Sequence, residues 1–312
     1  MTVAALLHVG YHKTGSTWFQ KQLYPYTQSH CYIPRRPVQE ALLMERAFDF
    51  DPDRARDILT GASDSSPLII CEEELSGNPH SAGMYGAFSK VVSERLQSTF
   101  PDSEVIIFIR NQVDMTAALY RHYLREGGTH SPRRYLCPDR WRNDVRRHPF
   151  KYPVFSLGFL DYRGLTQHYR RLFGDSRVHI FAFELFRDDP RSFVAAFVER
   201  FGIKVDITRL DYRPSNQGLS RNAMVAARIL NHLTYRSVLD KRWIGPLISN
   251  KIRSNLPLWL SRSPLSGPRQ SAPDLLGARL VAEIEEHFAT PNHELAQQTG
   301  LPLKALGYPM MA

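Results

Sequence analysis

The chain has 312 residues, of which 43% are apolar, and its formal net charge is +9. Three cysteines make a disulfide framework improbable, and no stretch reaches the roughly 18 apolar residues of a membrane span. The charge suits an anionic ligand, but zinc-finger spacing and basic heptad helices are missing, so we expect no nucleic-acid partner. We predict a cytoplasmic protein, at most peripheral at the inner membrane.

The strongly apolar segments in chain order predict parallel strands near 3–9, 67–71, 104–109 and 177–182, with helices between them. Alternating strands and helices are typical of an α/β fold. We predict a single domain, 1–312, with a P-loop-like three-layer α/β/α architecture, a mostly parallel central sheet and helical insertions. Residues 126–160 and 236–273, rich in proline and arginine, are predicted to be irregular insertions on this core.

The first predicted strand runs into a glycine-flanked turn that holds a lysine and three hydroxyl side chains, followed by a helix. The frame Gly10-x4-Gly15 resembles a nucleoside-triphosphate loop, but Ser16-Thr17 follows where that loop has Gly-Lys-[Ser/Thr]. A strand, a tight glycine loop and a helix N-terminus together form a phosphate cradle. We therefore predict an anion site made by Lys13, Thr14, Gly15, Ser16, Thr17 and Trp18.

The segment 104–110 predicts a buried strand that ends in a cation, Arg110, before a second helix starts. The segment Tyr11-His12-Lys13-Thr14-Gly15-Ser16-Thr17-Trp18 resembles the Tyr-Pro-Lys-Ser-Gly-Thr-Thr-Trp loop of the sulfotransferases. These enzymes use 3′-phosphoadenosine 5′-phosphosulfate (PAPS) and release 3′-phosphoadenosine 5′-phosphate (PAP). The resemblance implies that the first loop holds the 5′-phosphosulfate, and that Arg110 holds the 3′-phosphate.

Two further features of the resemblance concern the nucleotide. The family has a serine eight residues after the arginine, but here that residue is Ala118, so we expect Thr116 or a water to supply the missing hydrogen bond. Residues 216–221 resemble a late loop that closes over the nucleotide, which implies Asn216, Gly218 and Arg221 as ligands. The segment 292–309 is similar to the tail of bacterial carbohydrate sulfotransferases.

The resemblance implies a general base close to the end of the strand that precedes the 3′-phosphate strand. Three carboxylates, Glu72 to Glu74, follow the predicted strand 67–71, at the sheet edge where ligands bind in open α/β folds. We predict Glu73 as the base and Glu72 as the second candidate, with His12 as a third. Lys13 is the predicted catalytic cation at the bridging oxygen, and Trp18 is predicted to stack on adenine.

The sequence thus favours a PAPS-dependent sulfotransferase that acts on a hydroxyl of a carbohydrate or glycolipid, with no metal required. A P-loop ATP-dependent kinase is an alternative, because the loop frame and the carboxylates would suit Mg·ATP. A nucleotide- or carbohydrate-binding protein without catalysis is another, because Ala118 replaces the serine. The basic, tryptophan-bearing segment 236–273 is predicted to contact a membrane surface.

Overall fold

The structure is a computed structural model, and it describes residues 4–61, 66–80, 86–136, 155–213, 218–234, 242 and 244–311. Cys137, Asn216 and Trp243 lie outside the described residues. The helices of the described part of the chain range from three to 22 residues. They are α1 (Ser16–Trp18), α2 (Arg35–Val38), α3 (Pro52–Thr60), α4 (Ala87–Thr99), α5 (Gln112–Arg125), α6 (Pro132–Leu136), α7 (Tyr162–Phe173), α8 (Phe183–Asp188), α9 (Pro190–Arg200), α10 (Arg221–Asn231), α11 (Asn250–Arg262), α12 (Ala272–Leu276) and α13 (Ala278–Thr299).

Five parallel strands form the central sheet in the order β2-β3-β1-β4-β5. They are β1 (Ala5–His8), β2 (Cys31–Ile33), β3 (Leu68–Cys71), β4 (Glu104–Ile109) and β5 (Val178–Ala182). The four predicted strands are confirmed. Strand β2 was not predicted, because three residues are too few to show a pattern of alternation or an apolar run.

Alternate residues of the strands belong to two separate hydrophobic cores, one on each face of the sheet. Leu7 and Ile107 belong to a core with helices α4, α5, α7 and α13, whereas Leu6 and Phe108 pack with α9 and the segment after the first loop. Because successive side chains of a strand point to opposite faces, the continuous apolar runs cover both faces. The predicted three-layer α/β/α architecture is confirmed.

The segments predicted to be irregular insertions are largely helical where they are described. Helix α11 begins after Ser249, whose hydroxyl accepts from Ile252 N at 3.4 Å, and it contains Pro257. Arg253 is 3% exposed and donates to Arg125 O at the end of α5 at 2.8 Å. The prediction of irregular structure is therefore wrong for 250–262, because a tertiary contact stabilises a helix that its proline and serines disfavour.

A buried histidine in β1 makes the stability of the fold dependent on pH. His8 is 0% exposed, its Nδ1 lies 2.8 Å from Tyr24 Oη, and its ring stacks on Phe108 with centroids 5.0 Å apart. Desolvation by burial lowers the pKa of His8 to about 3, so the unfolded chain binds this proton more tightly than the folded chain does.

We expect His8 to lower the free energy of unfolding by about 1.4 kcal/mol for each pH unit below the unfolded pKa near 6.5, down to the folded pKa near 3. The measurement is urea unfolding of the wild type and of His8→Phe at several pH values from about 7 to about 5, a range around the pKa of an unfolded histidine. It gives the slope of the free energy of unfolding against pH for each protein. The variant should lose that part of the slope. Parallel slopes for the two proteins would show that His8 does not titrate on unfolding.

Candidate functional site

The first loop leaves the C-terminal end of β1 and turns through residues with positive φ. Gly10 has φ of 113° and Gly15 has φ of 92°, and Lys13, between them, has φ of 60°. A side chain on Gly10 would also meet Ser76 Oγ at 3.0 Å and Glu73 O at 3.1 Å. Both the backbone conformation and the close approach to the turn after β3 therefore require glycine at position 10.

Main-chain hydrogen bonds attach this loop to the neighbouring strand. Tyr11 N donates to Phe108 O at 2.8 Å, and Phe108 N donates to Gly10 O at 2.7 Å. The buried hydroxyl of Thr14 donates to Tyr11 O at 2.5 Å, so this hydroxyl proton is used within the loop. A contact of Thr14 with an anion would therefore come from its main-chain N–H.

The start of the following helix carries Ser16, Thr17 and Trp18. The first N–H groups of a helix have no intrahelical acceptor and point toward an anion placed before it. Ser16 Oγ donates to Glu73 Oε2 at 3.0 Å, which links the loop to the carboxylates after β3. Trp18 N donates to Gly15 O at 2.7 Å.

Trp18 lies in the core on the second face of the sheet. Its ring is 5% exposed, its Nε1 donates to Asp211 O at 2.7 Å, and it stacks on Tyr212 with ring centroids 5.5 Å apart. Trp18 therefore packs as a core residue in this structure. Stacking on adenine stays a prediction that requires the Asp211–Tyr212 segment to move.

Glu72, the second candidate for the base, is a structural carboxylate. It is 0% exposed, it binds Arg35 through two hydrogen bonds of 2.8 Å, and it accepts from Gln39 Nε2 at 2.7 Å and Glu74 N at 3.3 Å. Four donors occupy its oxygens, so it is not available to a substrate proton. Glu72 stays a predicted alternative, but this arrangement favours Glu73 over Glu72 as the base.

Glu73 and Glu74 lie on the 3-10 turn Glu73–Ser76, each facing a different residue of the first loop. Glu73 accepts from Ser16 and lies 3.5 Å from Arg35 Nη2, with its side chain 19% exposed. Glu74 Oε1 lies 3.2 Å from His12 Nε2. Burial opposes ionisation of Glu74, but His12, Asn78 and Arg35 outweigh it and lower its pKa. Since His12 is buried against Glu74, it is a weaker candidate for the base than Glu73.

Lys13 lies among both carboxylates and cations. Desolvation lowers the pKa of Lys13, whereas the nearby charge of Glu73 raises it and that of Arg125 lowers it. Burial lowers the pKa of His122 to about 3, and the charges of Lys13, His12, His80 and Arg125 lower it further. Two residues of α5, His122 and Arg125, thus lie near the loop lysine.

Arg110 lies directly after β4, where the sequence predicts it. Its Nη1 donates to Lys13 O at 3.0 Å, and its guanidinium lies over the Phe183 ring, 5.0 Å from the centroid. Among the described residues its buried Nε has no hydrogen-bond partner. Burial lowers the pKa of Arg110, and the charges of Asp114 and Glu184 oppose this. A guanidinium desolvated in this way suits an anionic ligand.

Thr116 is not placed to contact a ligand in the cleft. It is 0% exposed, and within the described part of the chain its buried Oγ1 has no partner. Residue 118 lies two positions further on α5, on the other side of the helix, where the side chains are only partly buried. The helix directs the Thr116 hydroxyl into the core, which favours the other predicted source of the hydrogen bond, a water, over Thr116.

Arg121 lies one turn after Ala118 on the same face of α5. Its Nη2 donates to Gln270 O at 2.8 Å, and burial and the charge of Arg110 both lower its pKa. The residues predicted from the sequence do not include Arg121, His122 and Arg125. Their spacing from Ala118, at i+3, i+4 and i+7, was the available signal, since those positions share one helical face.

The predicted late loop approaches this same face. A side chain on Gly218 would lie 3.4 Å from Arg121 Cδ, so the loop passes directly over Arg121. Arg221 begins α10 with its N–H donating to Pro268 O at 3.1 Å, and its side chain is exposed. The structure thus brings Gly218 to the α5 face, while no described contact of the Arg221 side chain places it there.

The described part of the chain is a three-layer α/β/α protein with a glycine-containing loop at the carboxyl edge of its parallel sheet. No protein-family model matches the chain, and no curated protein matches it. Among solved structures, it is similar to a sulfotransferase from Alicyclobacillus acidocaldarius, at 18% identity and a TM-score of 0.49, over 74% of this chain and 93% of that one. It is also similar to the sulfotransferase domain from the curacin biosynthetic pathway, at 11% identity and a TM-score of 0.34, over 90% and 97% of the two chains.

Proposed function

We propose that this protein is a PAPS-dependent sulfotransferase that transfers a sulfuryl group to a hydroxyl of a carbohydrate or glycolipid. The observation that carries the proposal is the hydrogen bond from Arg110 to Lys13 O. It brings the residue expected at the 3′-phosphate within 3.0 Å of the main chain of the residue expected at the 5′-phosphosulfate. The two residues are 97 positions apart in the sequence, and their contact supports one ligand site made by both segments.

The residues of the loop would share the charge that develops during transfer. The acceptor oxygen forms a bond to sulfur while the bond from sulfur to the phosphate oxygen breaks, and PAP leaves. The Lys13 ammonium is proposed to stabilise negative charge at that bridging oxygen. N–H groups of Gly15 to Thr17 would bind the 5′-phosphate, and no metal is required in this scheme.

Glu73 is proposed to accept the proton of the acceptor hydroxyl. Among Glu72, Glu73 and Glu74, Glu73 accepts the hydrogen bond from Ser16 at the helix start. Its charge also acts on Lys13. Arg35 lies 3.5 Å away and would hold the carboxylate in position. A base within hydrogen-bond reach of the reacting hydroxyl contributes about 10²- to 10⁴-fold to the rate.

A cavity of about 390 Å³ beside Tyr11 is the proposed site for the acceptor. Its lining includes Phe159, Asp161 and His168, and its volume lies in the range of small-molecule sites. In the described part of the chain, the buried atoms Asp161 Oδ1 and His168 Nε2 have no hydrogen-bond partner. The lining combines an aromatic ring with polar side chains, which is the combination that sugar carbons and hydroxyl groups need and which supports a sugar-like acceptor.

Calorimetric titration with PAP and with ATP, each with and without Mg²⁺, tests the proposed donor. We expect PAP to bind with a Kd on the order of micromolar without metal, and ATP to bind far more weakly. Mg²⁺-dependent binding of ATP alone would instead favour the kinase. Binding of PAP without turnover of any acceptor would favour a non-catalytic binder.

Arg121 is proposed to replace the contact that Ala118 cannot make with the 3′-phosphate. Arg121→Gln should weaken PAP binding about 10- to 100-fold, the value of one charge-assisted hydrogen bond, and leave AMP binding unchanged. Isothermal titration with both nucleotides measures this, with Arg209→Gln, whose side chain is 86% exposed, as the control. An equal loss for PAP and AMP would assign Arg121 a structural role instead.

A further inference from the structure

The exposed apolar side chains concentrate in one part of the chain. Of the fifteen large apolar residues that are exposed among those described, nine lie between 225 and 265. They are Val225, Ile229, Ile244, Leu247, Ile252, Leu256, Leu258, Trp259 and Leu265. Single exposed apolar residues are ordinary, but a concentration of this kind marks an interaction surface.

Helix α11 carries the densest part of this surface, which we call the α11 surface: Ile252, Leu256, Trp259 and the neighbouring Leu258. Trp259 is 62% exposed and Ile252 is 52% exposed. Residues 252, 256 and 259 follow helical spacing. Arg253, about 100° around the helix from Ile252, anchors the buried face of the helix to α5 through Arg125 O. The helix is thus held to the protein on one face and presents apolar side chains on a neighbouring, exposed face.

The charged residues of the segment that carries the α11 surface all have one sign. Between Asp240 and Asp274 the sequence contains six lysines and arginines and no aspartate or glutamate. They are Lys241, Arg242, Lys251, Arg253, Arg262 and Arg269, of which Arg242, Lys251, Arg262 and Arg269 are exposed. An apolar helix face with tryptophan, flanked by cations and free of carboxylates, is complementary to an anionic lipid surface.

We propose that the α11 surface binds anionic membranes peripherally, with Trp259, Leu256 and Ile252 in the interface and Lys251 and Arg262 at the lipid headgroups. No described helix is long and apolar enough to cross a bilayer, so the contact lies in the plane of the interface. This surface is separate from the loop residues proposed for transfer, and the inference does not depend on the sulfotransferase proposal.

Co-sedimentation of the full chain with lipid vesicles tests the inference. We expect binding to vesicles of phosphatidylcholine mixed with phosphatidylglycerol, little binding to phosphatidylcholine alone, and release by salt. The triple variant Ile252→Ser, Leu256→Ser, Trp259→Ser and the double variant Lys251→Glu, Arg262→Glu should each lower the partition coefficient at least about tenfold. All five positions are exposed, so the fold should be retained, as circular dichroism can verify.

Phe48→Ser, at a site that is 97% exposed outside this segment, is the matched control and should bind vesicles like the wild type. Failure of the wild type to bind anionic vesicles, or equal binding to neutral ones, would overturn the proposal. Sedimentation velocity tests the other occupant, a second copy of this chain. A wild type that does not bind vesicles but forms a dimer, which the triple variant abolishes, would overturn the proposal in favour of that second copy.

Discussion

Replacement of Lys13 by alanine is expected to lower kcat for sulfuryl transfer by about 10²- to 10³-fold or more, the effect of removing one preorganised group that stabilises transition-state charge. The ammonium is partly desolvated, and the charges of Glu73 and Arg125 act on it in opposite directions. PAP binding should weaken about tenfold, the loss of one charged contact with the 5′-phosphate. Single-turnover kinetics and calorimetry separate the two effects.

The unusual backbone conformation of Lys13 provides a control for folding. Lys13 has φ of 60°, which costs a non-glycine residue about 1 kcal/mol or more. Lys13→Gly removes the same ammonium but should raise the melting temperature, because glycine adopts this φ without strain. Lys21→Ala, at an exposed site, should change neither activity nor stability. Full activity in both Lys13 variants would refute a catalytic role for the ammonium.

Replacement of Glu73 by glutamine is expected to lower kcat by about 10²- to 10⁴-fold, the usual contribution of a general base. The amide keeps the size of the side chain and its hydrogen bond from Ser16, so the Kd for PAP should change little. The measurement is kcat and Kd for the same variant preparation. Retained turnover would remove Glu73 as the base and direct attention to His122, which lies near Lys13.

Glu72→Gln is the matched control, since the two glutamates are adjacent but differently placed. Glu72 is fully buried against Arg35 and Gln39, so its neutralisation should destabilise the fold by about 1–3 kcal/mol. Urea unfolding should detect this loss, while Glu73→Gln should unfold like the wild type. The reverse pattern, with Glu72 essential for turnover and dispensable for stability, would contradict the assignment of the two roles.

The sequence determined four of the five strands and the position of the loop after β1. The predominantly apolar runs at 68–71, 105–109 and 178–182 are typical of buried parallel strands, and the glycines at 10 and 15 are typical of tight turns. Arg110 could be placed at the carboxyl edge of the sheet for the same reason: it directly follows a strand. These features are local, so a short stretch of sequence contains the information that specifies them.

Only the tertiary structure decided between neighbouring residues of the same type. The sequence places Glu72 and Glu73 side by side after the same strand. Two hydrogen bonds from Arg35, which is 37 residues away, hold Glu72 in the interior, whereas Glu73 lies beside the loop and accepts from Ser16. Likewise, Thr116 and Arg121 both lie on α5, and only packing of the helix on the core shows which face is open. Contacts between distant segments determine burial, and burial decides which polar groups remain available to a ligand.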